Sequence, residues 1–416
     1  MISVQNLLQR LSGNKLLLVM LLGLSVLSAC QPKIRILKPV QVSKPDSEQE
    51  TNVDKTEETS KRRVFQIALL LPFQLDHVVP NHLKQEDLQR SALALDFYQG
   101  FQLGLESVVS SQTLFNLHVL DTRDDVPHTR QLAQRPEVQS ANLIVGPVYP
   151  KEILAFGQST AAQKPLMISP LAASLPGEFN FPNLVTLTSP ITAHAKSLAQ
   201  RIVSQYRSGD QVVFYETNDS GSKQFLPQVR GALQTLNASI PIVSVQDEHA
   251  FLERARHSGK NMVVLGTSNT YELSPVFAAF LELKNSHGID IQVFGHPNWL
   301  KIPFDASQNL ELFGTTITSS YFVDPARSDI RQFQLLYQKQ FHILATEFAF
   351  KGYDTGRYFG RLIEKYGADF SQQLIKEPYQ GFHNSFVWEH HSRWGFVNQS
   401  APVLVFRKGK FVPVSN

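Results

Sequence analysis

The sequence predicts an α/β protein with two doubly wound, parallel-sheet lobes and a β-rich C-terminal tail. Three observations predict this fold class. The folded part opens on a nearly continuous apolar run at 64–72, which is typical of a strand buried on both faces of a parallel sheet. Strand-like and helix-like segments then alternate, and the alternation starts afresh after Pro190. The chain of 416 residues also exceeds the roughly 100–200 residues of one domain.

The first alternating series predicts the first lobe. Apolar residues recur at helical spacing in its helices, and its strands are short apolar runs bounded by turn residues. Such an order predicts βαβ units with right-handed crossovers. The elements after the opening strand are helix 92–109, strand 115–120, helix 129–134, strand 142–145, helix 152–162 and strand 165–168.

The second series predicts a second sheet of the same kind. Ligand clefts in such sheets lie beyond the carboxyl ends of the strands, so a site is expected where the two sets of ends face each other. The predicted elements are helix 193–206, strand 211–215, helix 223–235, strand 241–245, helix 250–256, strand 261–265, helix 275–283 and strand 291–294.

The C-terminal part breaks this rhythm. Its pattern predicts a strand at 314–323, helices at 329–341 and 348–366, and antiparallel β-structure over 385–411. Glycines at every fourth position of the second helix, 352, 356 and 360, leave one helix face as bare backbone. That face is expected to pack closely against a neighbouring element.

Residues 1–30 predict a secretion signal with a lipid attachment site. The apolar run at 16–27 is about 12 residues, too short for a bilayer crossing of about 20 residues but suited to a signal peptide. Leu-Ser-Ala-Cys at 27–30 is similar to the bacterial lipobox, whose cysteine accepts lipid. Because Cys30 is the chain's only cysteine, a chance cysteine in a short buried helix is disfavoured, and disulfides and cysteine nucleophiles are excluded from the folded part.

Residues 31–63 predict a disordered tether. They are rich in charged and small polar residues and poor in aromatics, so they cannot bury enough apolar surface to offset the entropy of ordering. A flexible chain of this length reaches about 30 Å. Gln31 stands where an inner-membrane retention signal usually has Asp, so the resemblance to lipoprotein sorting signals favours the outer membrane, facing the periplasm.

Charge and motifs exclude several functions. The net charge is only +3 and no basic run with interleaved aromatics occurs, so nucleic acid is not an expected partner. The sequence has no GxSxG, HExxH, phosphate-loop or GxGxxG motif, and we expect a non-catalytic protein without a cofactor. Asp121, Asp124 and Asp125 fit helix capping better than a cation site, and the histidines 383, 390 and 391 lack metal-ligand spacing.

Four segments match one family in order along the chain. They are the opening strand with the helix residues 96–104, the strand end 121–125, the strand ends Gly146-Pro147 and 169–172, and the late motif Phe350-Lys351-Gly352-Tyr353-Asp354-Thr355. These segments resemble the type I periplasmic binding proteins, the family of Leu/Ile/Val receptors. The resemblance implies two lobes joined by three crossovers, which close on a ligand by hinge motion. The lobes are expected at 64–188 plus 324–367 and at 189–323 plus 368–416.

The third strand end departs from the amino-acid receptors. Those receptors usually place Ser or Thr shortly after the glycine to hold the ligand carboxylate, whereas this chain has Pro147-Val148-Tyr149-Pro150. The departure argues against an ordinary amino acid ligand. Gly146-Pro147 also resembles the outer-membrane lipoproteins that activate penicillin-binding proteins, whose α/β part follows a helical-repeat domain.

Two functions follow from these resemblances. The first is a membrane-anchored periplasmic protein that closes on a small polar ligand, amino-acid-type or cell-wall-derived, for sensing or for uptake through an inner-membrane permease. The alternative is an interaction module with a vestigial cleft that regulates a cell-envelope enzyme such as a peptidoglycan synthase. Fold analogy favours the first.

Candidate ligand-binding residues lie where predicted strands end. Backbone N–H groups at helix starts attract anions, and aromatic rings at a cleft can stack on a ligand. An ordinary turn, cap or core contact remains the alternative for each position. The candidates are Tyr149, Ser169, Ala172 and Ser174 in the first lobe, Tyr215, Asp219, Thr267, His296 and Trp299 in the second, and Tyr321 near the return crossover.

Overall fold

The computed structural model describes residues 34–36, 62–78, 84–110, 112–160, 165–172, 176–305 and 308–414. The predicted signal peptide with Cys30, most of the predicted tether and the candidate Ser174 lie outside the described residues. Within those ranges, none of the helices combines the length and the apolar character that a bilayer crossing requires.

Strands and helices alternate along most of the described chain. The strands are β1 (Ile34–Ile36), β2 (Arg63–Leu71), β3 (Thr113–Asp121), β4 (Leu143–Val145), β5 (Leu166–Ser169), β6 (Leu184–Thr186), β7 (Gln211–Tyr215), β8 (Ile242–Val245), β9 (Asn261–Leu265), β10 (Ile291–Phe294), β11 (Thr316–Thr318), β12 (Tyr379–Gln380), β13 (Ser385–Phe386), β14 (Trp388–His391), β15 (Gly395–Asn398), β16 (Val403–Arg407) and β17 (Lys410–Pro413). The helices are α1 (Gln85–Glu106), α2 (Val126–Leu132), α3 (Pro136–Gln139), α4 (Pro150–Ser159), α5 (Ile191–Gln205), α6 (Ser220–Leu236), α7 (Glu248–Arg254), α8 (Thr270–His287), α9 (Ser328–Phe341) and α10 (Glu347–Tyr366).

Two separate, mostly parallel sheets confirm the predicted fold class. The first sheet has the strand order β1-β3-β2-β4-β5-β6-β15-β14, and the second has the order β17-β16-β11-β10-β9-β7-β8. Strands β12 and β13 form a small antiparallel pair. In the first sheet β2 is central, and it pairs in parallel with both β3 and β4.

Each sheet is covered on both faces, as a doubly wound fold requires. Alternate side chains of β2 enter two different cores: Ile67 and Leu69 pack on one face, and Ala68 and Leu70 on the other. Successive residues of a strand point to opposite faces, so a strand buried on both must be apolar throughout. In the second sheet β7 is divided between two cores in the same way.

Three crossovers connect the lobes. The chain leaves the first lobe between β6 and α5, returns between β11 and α9, and leaves again between β15 and β16. After the second crossover, α9 packs against the first lobe, since its Phe333 and Tyr337 lie in one hydrophobic cluster with Leu103 of α1.

The structure corrects two of the predicted boundaries. Residues 368–398 were expected in the second lobe, but β15 pairs in parallel with β6, with Phe396 opposite Val185, and so extends the first sheet. Part of the predicted tether also forms a strand, because β1 pairs antiparallel with β3, with Arg35 opposite Leu117. An edge strand such as β3 has unpaired backbone groups that a short apolar segment can satisfy.

The glycine face of α10 packs as predicted. A Cβ on Gly352 would lie 2.1 Å from the carbonyl oxygen of Phe97, and one on Gly356 would lie 2.2 Å from that of Phe101. The helices α1 and α10 therefore touch through their backbones. This contact fixes the start of α10, which contributes to the cleft between the lobes.

Candidate ligand-binding cleft

A cavity of about 630 Å³ lies between the carboxyl ends of the two sheets. The first lobe lines it with the segments that follow β4, β5 and β6 and with the start of α10. The second lobe lines it with α5 and the segments that follow β10 and β11. Its size is that of a typical small-molecule site, and its place at the strand ends is the one that the fold predicts.

Lys351 contributes a buried ammonium to the cavity. Its Nζ donates a 2.9 Å hydrogen bond to the hydroxyl of Thr188 in the first crossover, and the residue is only 7% exposed. Burial lowers the pKa of Lys351 from 10.5 to about 8, and the nearby positive charge of Lys301 lowers it further. The carboxylate of Glu347, one helical turn earlier, acts in the opposite direction and raises this pKa. At neutral pH this group is therefore a poorly hydrated positive charge in the cleft.

His383 lies in the cleft with its ring stacked on Tyr321. The ring centroids are 4.2 Å apart and the planes are nearly parallel. The Nδ1 of His383 lies 2.6 Å from the Oδ1 of Asn384, while its buried Nε2 has no hydrogen-bond partner among the described residues. Burial lowers the pKa of His383 to about 3, helped by the positive charge of Lys351, so the ring is neutral.

Asp354 holds the loop that carries His383. Its carboxylate accepts the backbone N–H groups of Phe382, His383 and Asn384 at 2.7–2.8 Å and the hydroxyl of Tyr379 at 3.2 Å. The residue is fully buried, and burial raises its pKa to about 6 against the lowering effect of these bonds. Asp354 therefore holds residues 382–384 in position, and His383 and Asn384 of this loop line the cleft.

Glu347 at the start of α10 links the two lobes. Its Oε1 lies 3.1 Å from the Nζ of Lys301, which belongs to the second lobe, and its Oε2 accepts a 2.7 Å hydrogen bond from the hydroxyl of Tyr321. Burial and this carboxylate raise the pKa of Tyr321. All three residues line the cavity, and the side chain of Lys301 is well exposed.

Two further histidines belong to the second-lobe wall. His194 of α5 contacts the hydroxyls of Thr318 and Ser320 at 3.0 and 2.9 Å through its two ring nitrogens. The Nδ1 of His296 accepts the backbone N–H of Asn298 at 3.1 Å. Burial lowers the pKa of each to about 4, so both side chains are neutral hydrogen-bonding groups.

The structure brings four of the predicted candidates together. Tyr149, Ala172, His296 and Tyr321 all line the cavity. They come from both lobes and from the return crossover, as the strand-end argument predicts.

The other described candidates lie elsewhere. Trp299, expected as a ligand platform, is fully buried. Its indole N–H donates a 2.7 Å hydrogen bond to the carbonyl oxygen of Thr267, so both residues are part of the packed core of the second lobe. Asp219 caps α6 by accepting the N–H groups of its first turn, and Ser169 is buried inside the first sheet. Tyr215 lines a separate cavity of about 1040 Å³ on the second lobe.

The acidic cluster after β3 has structural roles. Asp125 caps α2 through the backbone N–H of His128, and Asp121 accepts the N–H groups of Gln74, Leu75 and Arg123. No group of three or more His, Cys, Asp or Glu suited to a metal ion occurs in the part of the chain that the structure describes.

Sequence reasoning missed most of the charged residues in the cleft. Lys351 lies within the family motif, but a lysine on a helix is usually solvated, so the residue type alone does not indicate burial. For His383, the sequence indicates only that it belongs to a group of three histidines in the C-terminal part. The signal that could have found Lys351 is its place on the apolar face of α10, between Phe350 and the glycine face.

Solved structures share the fold. A substrate-binding protein of an ABC transporter from Desulfitobacterium hafniense, in complex with Leu, is 16% identical with a TM-score of 0.51, over 85% of this chain and 100% of that chain. A putative branched-chain amino acid ABC transporter from Rhodospirillum rubrum is 14% identical with a TM-score of 0.60, over the same shares. Full-length LpoA from Haemophilus influenzae is 14% identical with a TM-score of 0.53, over 86% of this chain and 60% of that one.

Comparison with curated protein sequences gives no match. A family model described as "Periplasmic binding protein" matches residues 92–385, which is well over half of the chain and includes most of the cleft. The chain therefore belongs to the periplasmic binding protein family.

Proposed function

We propose that this protein is a non-catalytic binding protein of the cell envelope, anchored through lipid on Cys30, which closes its lobes on a small polar ligand for uptake or sensing. The lipid anchor, and with it a position at the outer membrane, is proposed from the sequence of residues 1–31 alone. The ligand-binding role rests on the cleft.

One observation carries the proposal: the cleft buries polar groups with unused hydrogen-bonding capacity. The Nε2 of His383 has no partner among the described residues, and the ammonium of Lys351 has one hydrogen bond for three N–H groups. Buried polar groups are normally satisfied because leaving them unpaired costs about 1–3 kcal/mol each. A polar ligand in the cleft would supply partners for the remaining N–H groups of Lys351.

The walls of the cavity also support a ligand of mixed character. Leu93, Val148, Leu171, Leu300 and Phe348 provide apolar surface beside these polar groups. Ligand sites in proteins typically combine a mostly apolar lining with a few convergent polar groups that fix orientation.

A thermal-shift screen of the full chain tests the proposal, with amino acids, hydroxy acids, sugars, nucleosides and peptidoglycan fragments as probes. A ligand at 100 times its dissociation constant adds about 2.7 kcal/mol of stability. A hit should lose its effect when Tyr149→Trp fills the cleft, and should keep it in Tyr271→Trp, a matched change at a surface tyrosine outside the cleft. A flat response across all probe classes would contradict the proposal.

The contact of Glu347 with Lys301 and Tyr321 favours a second candidate. It ties the lobes together with the protein's own side chains, as a module with a vestigial cleft would need. Such a module would act by binding an envelope enzyme such as a peptidoglycan synthase. Co-purification of a synthase with the full chain, combined with a flat ligand screen, would favour this candidate over the first.

A further inference from the structure

Strand β1 brings the proposed lipid anchor close to the first lobe. The strand pairs antiparallel with β3, and Ile34 lies opposite His118. In an antiparallel pair the start of one strand lies beside the end of the other, so the chain before Ile34 leaves the sheet toward the carboxyl end of β3. Cys30 is four residues before Ile34, and a chain of that length spans at most about 14 Å. Lipid on Cys30 therefore starts at this corner of the first lobe.

Leu75 is exposed at the same corner. The carboxylate of Asp121, the last residue of β3, accepts the backbone N–H groups of Gln74 and Leu75 at 3.0 and 2.9 Å. Leu75 itself is 60% exposed. An apolar side chain is thus fixed in water beside the end of β3.

Helix α1 extends this apolar surface. Leu88, Ala92 and Leu95 occur at i, i+4 and i+7, so they form one stripe along the helix, and all three are exposed. The hydroxyl of Ser91 donates a 2.6 Å hydrogen bond to the carbonyl oxygen of Phe73, which places the start of α1 beside the turn after β2. Solvent-facing helix positions are normally polar, so an apolar stripe here indicates a surface with a partner.

We propose that the membrane carrying the Cys30 lipid is this partner: the corner formed by Leu75, Leu88, Ala92 and Leu95 rests on the bilayer and inserts its apolar side chains among the lipid headgroups. The inference rests on the proposed anchor and adds to it a fixed contact between the first lobe and the membrane. The protein then stands on the membrane with its first lobe and does not hang from a free tether.

A contact of this size works only together with the anchor. Three leucines and one alanine hold fewer side-chain carbon atoms than one myristoyl chain, and a single such chain gives only marginal, reversible membrane binding. Attachment through four residues raises the effective concentration of the bilayer at the corner, so little intrinsic affinity is needed. We therefore expect the contact in the lipidated protein and not in protein that lacks lipid.

The charged residues near this surface have both signs. The exposed ones on the same segments and just after β3 include Asp76, Glu86, Lys84 and Arg123. Such a mixed surface gives no strong preference for anionic headgroups, so apolar contact is the driving force. Salt and the share of anionic lipid should have little effect on the contact.

A fluorescent label in the stripe tests the contact. Cys30 is the chain's only cysteine and carries the proposed lipid, so Ala92→Cys supplies the single free thiol for a polarity-sensitive fluorophore. Ala278→Cys, at an exposed alanine of α8 in the second lobe, is the matched control. The full lipidated chain is placed in vesicles of phosphatidylethanolamine and phosphatidylglycerol that contain a nitroxide quencher on some acyl chains. We expect blue-shifted emission and several-fold stronger quenching at position 92 than at position 278.

Two further variants separate the apolar contact from the anchor. Combining Leu75→Ser, Leu88→Ser and Leu95→Ser keeps Cys30, and because these side chains are exposed, the melting temperature should stay close to that of the wild type. This triple variant should lose most of the quenching at position 92. A flexible insert of about 20 Gly and Ser residues before Ile34 lets the lobe move about 25 Å farther from the anchor, and it should reduce the quenching several-fold as well.

The outcomes separate this inference from the anchor. Equal quenching at positions 92 and 278 of the lipidated protein, or quenching that the triple variant retains, would overturn the membrane contact and leave the anchor in place. A label at position 92 that is already shielded from water in lipid-free protein with Cys30→Ala would also overturn it, since the chain itself or a second copy would then cover the stripe. If mass spectrometry finds no lipid on Cys30, the anchor and the inference fail together.

Discussion

Gly352 of α10 lies directly against the backbone of Phe97 in α1, and a Cβ added to it would come within 2.1 Å of the Phe97 carbonyl oxygen. The neighbouring atom belongs to the backbone of a buried helix, so it cannot move aside cheaply. The same two helices meet again where Gly100 faces the carbonyl oxygen of Ala349. Close packing of this kind positions the start of α10, and with it Glu347 and Lys351 in the cleft.

Gly352→Ala should therefore destabilise the protein. Helix propensity alone would favour Ala by about 1 kcal/mol, but overpacking of a tight contact costs about 1–3 kcal/mol or more, and here the contact wins. The expected result is a fall of at least about 1–2 kcal/mol in the free energy of unfolding, measured in urea. Gly231→Ala on α6 is the matched control, since a Cβ there meets nothing within 4 Å. The control should gain stability by up to about 1 kcal/mol, and a gain at Gly352 as well would contradict the packing argument.

The regular part of this fold could be predicted from local patterns. Strands such as β7, β9 and β10 are apolar runs bounded by turn residues, and the structure gives them the predicted bounds. The predictions fail where the place of a strand depends on which other strand it pairs with. Strand β6 at 184–186 is too short for a periodic signal, and β15 joins the first sheet because it pairs with β6 there. No local pattern states which of two sheets a tail strand will join.

Asp354→Asn should loosen the loop that carries His383. An amide can accept hydrogen bonds through only one atom, so at least one backbone N–H among residues 382–384 would face an NH₂ group. We expect a loss of about 2–3 kcal/mol in the free energy of unfolding. Asp329→Asn, at a half-exposed carboxylate paired with Arg327, should cost less than about 1 kcal/mol. Equal effects of the two substitutions would argue against a positioning role for Asp354.

The candidate site could be predicted by place but not by chemistry. Strand ends located Tyr149, Ala172, His296 and Tyr321 in the cleft, because the edge of a parallel sheet follows from its topology. The same argument also selected Trp299, although its ring fits between Phe277 and Phe304 in the core. Which side of a loop a residue faces depends on packing that the sequence does not display.

Stability should decrease in mild acid because of His194. Its folded pKa of about 4 lies below the ordinary value of 6.5, so the unfolded state binds more protons between these values. The contribution is fully present above pH 6.5 and is lost as the pH falls through about 4, to a maximum of about 3 kcal/mol. The measurement is urea unfolding across this range. The decrease should be smaller in His194→Gln and unchanged in His249→Gln, at an exposed position. A pH profile that His194→Gln does not alter would remove this explanation.

Cys30→Ala should release the protein from membranes. Multiple acyl chains give firm anchoring because each buried CH₂ contributes about 0.8 kcal/mol, and the substitution removes their acceptor. We expect the wild type in the membrane fraction and the variant in the soluble periplasmic fraction, with mass spectrometry showing lipid on the wild-type N-terminus alone. Ser28→Ala keeps a small residue before the cleavage site and should remain in the membrane fraction. A variant that stays membrane-bound without Cys30 would require another anchor.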